Sequence, residues 1–331
     1  MAATTARNQN VLTRRAVIQG LTSFTAAGFG LGGYAFAVEP YRLVTTRYAI
    51  MPKGWPRGLQ LRIAAIADLH VCEPWMNLAR VEQIVDHTNR LGADVIVLLG
   101  DYETRNHFVR ASVPMRDWAN ALGQLKAPLG VHAVLGNHDW WDDQEAQVRG
   151  GGPVAGQIAL ERAGVPVYDN EAIRLVKGHH PFWLAGLGDQ WAFYGHFGRQ
   201  VAARQERRGR RSHHHYVGVD DLAGTLARIT DDAPAILLAH EPDIFPEVPD
   251  RISLTLSGHT HGGQLGLLRL GLRGTVVSAL SKVPDHGQWA LGTARLYVHR
   301  GTGHYGFPLR IGVPAERSLL HVHGLWRPTA A

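Results

Sequence analysis

The chain has one cysteine, Cys72, among 331 residues, so no disulfide can close within it, which is compatible with an oxidising compartment without requiring one. Beyond residue 37 it has no visible repeat and no run of 18 or more apolar residues, which excludes a second helical bilayer span there. Acid is missing from residues 1–37, which carry only Arg7, Arg14 and Arg15 as charges. The whole chain holds 34 Lys and Arg against 28 Asp and Glu, a formal +6, and without those three arginines 31 against 28 leaves +3. Much of the basicity therefore belongs to the amino end, and no specific nucleic-acid partner follows from charge.

What is present is a series of short polar motifs: Asp68-Leu69-His70, Gly100-Asp101, Gly136-Asn137-His138-Asp139, Ala239-His240 and Gly258-His259-Thr260-His261. Apolar runs precede most of them, Arg62–Ala67, Asp94–Leu99, Val131–Leu135 and Ala235–Leu238. Runs with so little polar alternation suit strands covered on both faces, and polar residues just past their ends project into a common crevice. Each motif alone has a plain explanation. Asp-x-His is ordinarily a loop pair, Gly-Asp is ordinary turn chemistry, and Gly-Asn-His-Asp can be a turn followed by a helix cap. Five such motifs, nearly all at strand ends and the last with two histidines between glycines, are better read as converging metal ligands. Carboxylates, imidazoles and an amide oxygen together suit manganese, iron or zinc better than calcium.

These motifs resemble those of the calcineurin-like metallophosphoesterase superfamily, D-x-H, G-D, G-N-H-D/E, H and G-H-x-H, and they cover most of the chain from about residue 60 to 323. The likeness is to the exported bacterial branch of YaeI and YkuE type. Ala185-Gly186-Leu187-Gly188-Asp189, the run Gly258–Gln264 and the segment Arg300–Arg310 match further motifs of that branch. The resemblance implies an α/β fold, a four-layer αββα sandwich of two mixed sheets flanked by helices, with two divalent metal ions at one edge. It assigns Asp68, His70 and His261 to one ion, Asn137, His240 and His259 to the other, and Asp101 as the bridge between them. Two ions held roughly 3.5–4 Å apart can grip one phosphoryl group and activate a shared water. His138 is then expected to donate the proton to the leaving group, with Asp139 orienting or charging its imidazole. Arg105, four residues past Asp101, and His304 and Cys72 are given no role.

The expected activity is a phosphohydrolase, cleaving phosphodiester or pyrophosphate bonds of a phosphorylated small molecule or lipid. An enzyme like UDP-2,3-diacylglucosamine hydrolase, acting on lipid A precursors, is the alternative. A noncatalytic envelope-binding protein is the rival from another class, and a lost ligand would favour it, but none is missing.

The uncharged stretch Ala16–Ala37 follows the arginines and ends in Ala35-Phe36-Ala37, a small-x-small form that signal peptidase accepts. Thr13–Gln19 resembles a twin-arginine signal, with Val17 and Gln19 in place of the usual Phe and Lys. The expectation is passage through the twin-arginine export machinery to the periplasm or the outer face of the cytoplasmic membrane. The stretch is long enough to remain as an anchor if uncut, since a span needs about 20 residues.

The remaining organisation follows from pattern. Residues 38–59 read as a linker and 60–331 as one domain, large enough to bury its own core. Apolar spacing predicts helices over Leu78–Leu91 and Val217–Ile229. After His261 short strands are expected at Thr275–Val277, Ala294–Val298 and Ser318–Val322, gathered in a second sheet. Residues 190–216 read as an insertion, aromatic at Trp191, Phe193, Tyr194 and Phe197 and basic over Arg204–His215. It is either a solvated loop or a lid facing phosphates or an anionic membrane surface.

Overall fold

The computed structural model describes residues 28–105, 108–206, 216–271, 274–281 and 283–324. In chain order its strands are β1 (Val44–Ile50), β2 (Leu61–Ile66), β3 (Val95–Leu99), β4 (Val131–Val134), β5 (Glu171–Lys177) and β6 (His180–Gly186). They continue as β7 (Phe193–Tyr194), β8 (Tyr216–Val217), β9 (Ala235–Leu238), β10 (Ile252–Ser257), β11 (Gly287–Leu291), β12 (Ala294–Val298) and β13 (Glu316–Val322). One sheet has the order β1-β13-β2-β3-β4, a second has β11-β12-β10-β9-β6-β5, and β7 pairs with β8 apart from both. Both large sheets mix parallel and antiparallel pairs.

Strand periodicity builds the layers. Along β2, Ile63 and Ala65 turn inward to meet Phe182, Leu184, Ile236, Leu238, Leu254 and Leu256 of the other sheet. Ala64 and Ile66 turn outward with Ile96 and Leu98, under Val81, Ile84 and Val85 of the helix Leu78–Asn89 and Trp118 of Met115–Leu122. On the far side, Trp183, Ala185, Ala235 and Leu237 carry Leu222, Leu226 and Ile244. The result is the expected helix, sheet, sheet, helix sandwich. Each fully buried Val, Leu, Ile or Phe side chain contributes roughly 1.5–3 kcal/mol through the water it sheds.

The four central strands fall where the apolar runs predict them, and the helix Leu78–Asn89 starts where Asn77 Oδ1 accepts the Arg80 N–H at 3.1 Å. Four readings need correction. The linker 38–59 holds β1, an edge strand paired in parallel with β13 from Val44 opposite Glu316 to Ile50 opposite Val322. Its half-exposed pattern carries little local signal, because its partner lies at the other end of the chain. The same pairing draws Ser318–Val322 into the first sheet, between β1 and β2, and not into the second. Thr275–Val277 is no strand: Thr275 caps a short helix, Val276–Leu280, by exchanging bonds with Ser278. Of Val217–Ile229 only Leu222–Ala227 is helical, started by Asp221, whose side chain accepts the Gly224 N–H at 2.9 Å.

The insertion contributes β7, the helix Gly195–Glu206 and β8, while its residues 207–215, like residues 1–27 of the leader, lie outside the described residues. Residues 28–37 are helical, and Ala35 is buried with its carbonyl accepting the Arg310 N–H at 3.1 Å. Among the described residues no helix is long and apolar enough to cross a membrane.

Candidate metal centre

The topology delivers the ligands to one place. Asp68 follows β2, Asp101 follows β3 and Asn137 follows β4, three neighbouring strands running in parallel. His240 follows β9 and His259 follows β10, a parallel pair in the other sheet. Both sheets therefore present their carboxyl ends to one crevice. The chain must turn sharply there, and it does so at the ligands themselves. Seven non-glycine residues among the described ones have positive φ, and five of them are Asp68, His70, Asp101, His259 and His261. Left-handed backbone costs a non-glycine residue on the order of 1–3 kcal/mol and persists where the surroundings over-determine it. Glycines supply the close approaches. A Cβ on Gly136 would press on the Asp101 carboxylate and stand 2.7 Å from His240 Nε2, and one on Gly258 would stand 2.7 Å from Asp68 Oδ2.

Within the crevice the lone pairs face one another. His70 Nε2 lies 3.0 Å from His261 Nε2, and His261 Nε2 lies 3.5 Å from Asp68 Oδ1. Asp101 Oδ2 stands 3.5 Å from His70 Nε2 and 3.3 Å from His240 Nε2, between the two histidine groups. Asn137 Oδ1 meets His259 Nδ1 at 2.9 Å. Asp68 Oδ2 is buried without a hydrogen-bond partner, and so is His240 Nε2, which lacks hydrogen-bond geometry toward Asp101. His240 Nδ1 lies 2.5 Å from the Leu99 carbonyl, which can only accept, so Nδ1 carries a proton and Nε2 is the nitrogen turned inward. Converging ligand atoms, with one buried oxygen and one buried nitrogen left unpartnered, are what a cation relieves, and the residues present fit one.

The electrostatics show which protons a cation must displace: burial would lower His240, but Asp101 and Glu241 hold its imidazole well above its ordinary value, and burial raises the Asp68 carboxyl to about 7. Burial drives His70 and His259 down to about 3, leaving neutral imidazoles able to donate lone pairs. Burial also penalises charge on Asp101, yet the imidazoles of His240, His138 and His70 hold it well below the usual carboxylate range. Among the described residues three candidate ligand groups emerge: Asp68 with His70 and His261, Asp68 with Asp101 and His240, and His240 with Glu241 and His259. Glu241 had no place in the sequence reading. Its Oε2 accepts the backbone N–H and the side-chain amide of Gln190, both at 3.3 Å, which turns that oxygen toward β6's following loop.

His138 and Asp139 part company. The His138 N–H donates to Asp101 Oδ1 at 2.9 Å, which ties the candidate acid to the candidate bridge. Asp139 does not orient the His138 ring: its oxygens accept the N–H groups of Asp101 and Tyr102 at 2.9 Å and of Gly136 at 2.8 Å. It is a clamp that fastens the Gly-Asp turn to the Gly-Asn-His-Asp turn. The carboxylate beside the imidazole is Asp142, with Oδ2 3.7 Å from His138 Nδ1, one helical turn on. Burial pushes His138 down, but Asp101, Asp142 and, through its charge alone, Asp139 outweigh it and hold the imidazole above its ordinary value.

Arg310 fixes the remaining wall. Fully buried, it donates to the carbonyls of Gly303 at 2.6 Å, Arg300 at 2.9 Å and Val313 at 3.1 Å, pinning the loop that passes behind His261. Burial lowers its pKa to about 9, which leaves it a cation at neutral pH. Arg105 has an exposed side chain, while His304 and Cys72 are buried.

Comparison with known proteins points the same way. The chain is 29% identical over 313 residues to the metallophosphoesterase YkuE of Bacillus subtilis, covering 90% of this chain and 93% of that one. It is 28% identical over 296 residues to a metallophosphoesterase of Aquifex aeolicus, covering 89% and 97%. A transmembrane protein with metallophosphoesterase domain from Danio rerio is 30% identical over 295 residues, covering 86% of this chain but 58% of that protein. Among solved structures, a dimetal phosphatase from Danio rerio matches with a TM-score of 0.38 and 14% identity, over 73% of this chain and 87% of that one. The family model for calcineurin-like phosphoesterases matches residues 61–263, the stretch that supplies all seven ligand positions, so the chain belongs to that family and is a metallophosphoesterase.

Proposed function

We infer that this phosphoester hydrolase works with two divalent cations, manganese, iron or zinc, and prefers phosphodiester or pyrophosphate bonds. The observation that carries the reading is the position of Asp101 Oδ2, within 3.5 Å of His70 Nε2 and 3.3 Å of His240 Nε2, where one carboxylate serves both histidine groups. Once bound, such a pair of cations supplies Lewis acidity toward the phosphoryl oxygens and a water acidic enough to ionise near neutral pH. The chain's own part is to hold the phosphoryl group in a crevice walled by buried side chains and to deliver a proton to the departing oxygen. His138 is placed for that step, beside the bridge and backed by Asp142.

Replacing His138 with Ala is expected to keep the metals and lower turnover on alkyl diesters by about 10²-fold or more, while nitrophenyl esters, whose leaving groups need no proton, fall far less. Equal losses on both classes would remove His138 from the proton-transfer step. Elemental analysis of the same preparations tests the metal count, and one ion per fully active chain rejects the dinuclear reading.

The site of action is inferred to lie outside the cytoplasm, at the membrane surface. The uncharged stretch Ala16–Ala37 behind Arg14 and Arg15 supports export, and the burial of Ala35 against the Arg310 loop supports a segment that stays attached. With both arginines replaced by Lys, the protein should remain inside the cell, and fractionation that finds it exported as before rejects the twin-arginine route.

A further inference from the structure

Aromatic rings from four separate stretches of chain surround the metal centre. Trp191 and Tyr216 lie parallel at 4.6 Å with 4° between their planes, and Tyr216 stacks on Trp141 at 5.5 Å and 16°. The three make one continuous stack, and Tyr194 leans on its Trp141 end at 5.0 Å. Each end of the stack meets the site: Trp191 stands 4.6 Å from the His259 ring, and Trp141 stands 5.0 Å from His138. Tyr305 reaches the same His138 from another loop, at 4.2 Å, and also lies 5.4 Å from His70.

Core packing does not account for this group. The fold's structural aromatics, such as Trp118 and Phe182, are wholly buried, whereas Tyr305 and Tyr194 are 41% and 43% exposed and Trp141, Trp191 and Tyr216 are half-buried. Local bonds fasten two of them. Trp141 Nε1 donates to the Trp191 carbonyl at 2.7 Å, and the Tyr305 main chain exchanges two bonds with the Gln264 side chain, at 2.8 and 3.2 Å. The rings are thus held beside the site histidines while part of their surface stays exposed.

We propose that Tyr305, Trp141 and Trp191, the last two braced by Tyr216 between them, form the leaving-group subsite, and that it takes a planar unsaturated ring, such as a nucleobase, carried by the ester being cleaved. The placement follows from His138, and the inference rests on its reading as the acid. The oxygen that receives its proton belongs to the leaving group, so the remainder of that group must pass Tyr305 and Trp141. Flat rings match this lining because offset stacking rewards ring on ring, and no base edge needs to be read for it. The subsite accordingly distinguishes ring from no ring, with little preference among bases.

The test uses the metal-loaded enzyme and compares inhibitors of methyl nitrophenyl phosphate hydrolysis: AMP, UMP, ribose 5-phosphate and inorganic phosphate. AMP and UMP are expected to inhibit alike, at concentrations about tenfold below that of ribose 5-phosphate, as one ring-on-ring contact provides. Tyr305→Ala and Trp141→Ala should bring the nucleotides to parity with ribose 5-phosphate, and Tyr305→Phe should preserve the difference. Tyr305 lies on an exposed loop, so its variants decide the matter even if Trp141→Ala does not fold. Equal inhibition by AMP and ribose 5-phosphate in the wild type, or an advantage that survives in Tyr305→Ala, overturns the subsite. Inhibition by inorganic phosphate separates this failure from a larger one: if phosphate inhibits while the base adds nothing, the subsite alone is wrong, and if phosphate too is inert, the phosphoryl site itself is misplaced.

Discussion

Asp101→Asn should lower hydrolysis of every phosphoester by on the order of 10³-fold, the scale of losing a group that stabilises charge in the transition state, and should reduce metal content. The substitution isolates charge from shape. Asp101 sits at φ 58°, a left-handed conformation that Asn tolerates better than most residues, and an amide oxygen can still accept the His138 N–H that Oδ1 receives at 2.9 Å. What the amide cannot do is offer an anionic oxygen to both histidine groups at once. Metal content per folded chain, measured with turnover, checks the claim. A variant that keeps a full complement of ions and wild-type rates shows that the bridge lies elsewhere.

The second large effect concerns stability and lies behind the site. Glu316, fully buried at the start of β13, accepts the Arg300 N–H at 3.0 Å and Tyr297 Oη–H at 2.8 Å on Oε1, and Arg300 Nη2 at 2.6 Å on Oε2. The same Arg300 nitrogen reaches Thr46 Oγ1 on β1 at 2.8 Å, so the cluster joins β1 and β13 of one sheet to β12 of the other. Burial opposes charge on Glu316, yet Arg300 prevails and holds its pKa at about 2, below an ordinary 4.5. A depressed carboxylate stabilises the fold at pH values above its unfolded pKa, and the contribution fades as pH falls from about 4.5 to about 2. A shift of that size corresponds to on the order of 3 kcal/mol.

Glu316→Gln should therefore cost about 3–5 kcal/mol at pH 7, because it also strands the buried Arg300. In urea titrations the gap between variant and wild type should narrow progressively below pH 4.5. A constant gap from pH 7 to pH 3 would mean that packing, and not the ion pair, accounts for the loss.

Local signals explain what could be read from the sequence. The uninterrupted runs before Asp68, Gly100, Gly136 and His240 announce buried strands, and the glycines beside the ligands announce the sharp turns that bring Asp101, Asn137 and His259 into one crevice. Pairing across long sequence distances was invisible. Nothing in Val44–Ile50 names β13 as its neighbour, and nothing in Ser318–Val322 says which sheet will receive it. Thr275-Val276-Val277 misled because β-branched residues favour strands, while the hydroxyl exchange with Ser278 that makes a helix start there depends on geometry. Asp139 and Asp142 could not be told apart by proximity to His138 in sequence. The adjacent acid turned to the main chain, and the one a helical turn away turned to the ring. The aromatic lining was glimpsed only at Trp191 and Tyr194, since Trp141, Tyr216 and Tyr305 come from segments that share no local pattern with them.

The Asp139 clamp has a consequence for how the protein acquires its ions. With N–H groups from two turns gathered on one carboxylate, the spacing between the Gly-Asp and Gly-Asn-His-Asp ligands is set by main-chain bonds and not by the ions alone. Such a receptacle needs no refolding to be filled, so its first occupant is decided by which ion is abundant where the polypeptide matures. If the proposed export of the folded chain holds, the interior of the cell would then choose the metal with which it works outside.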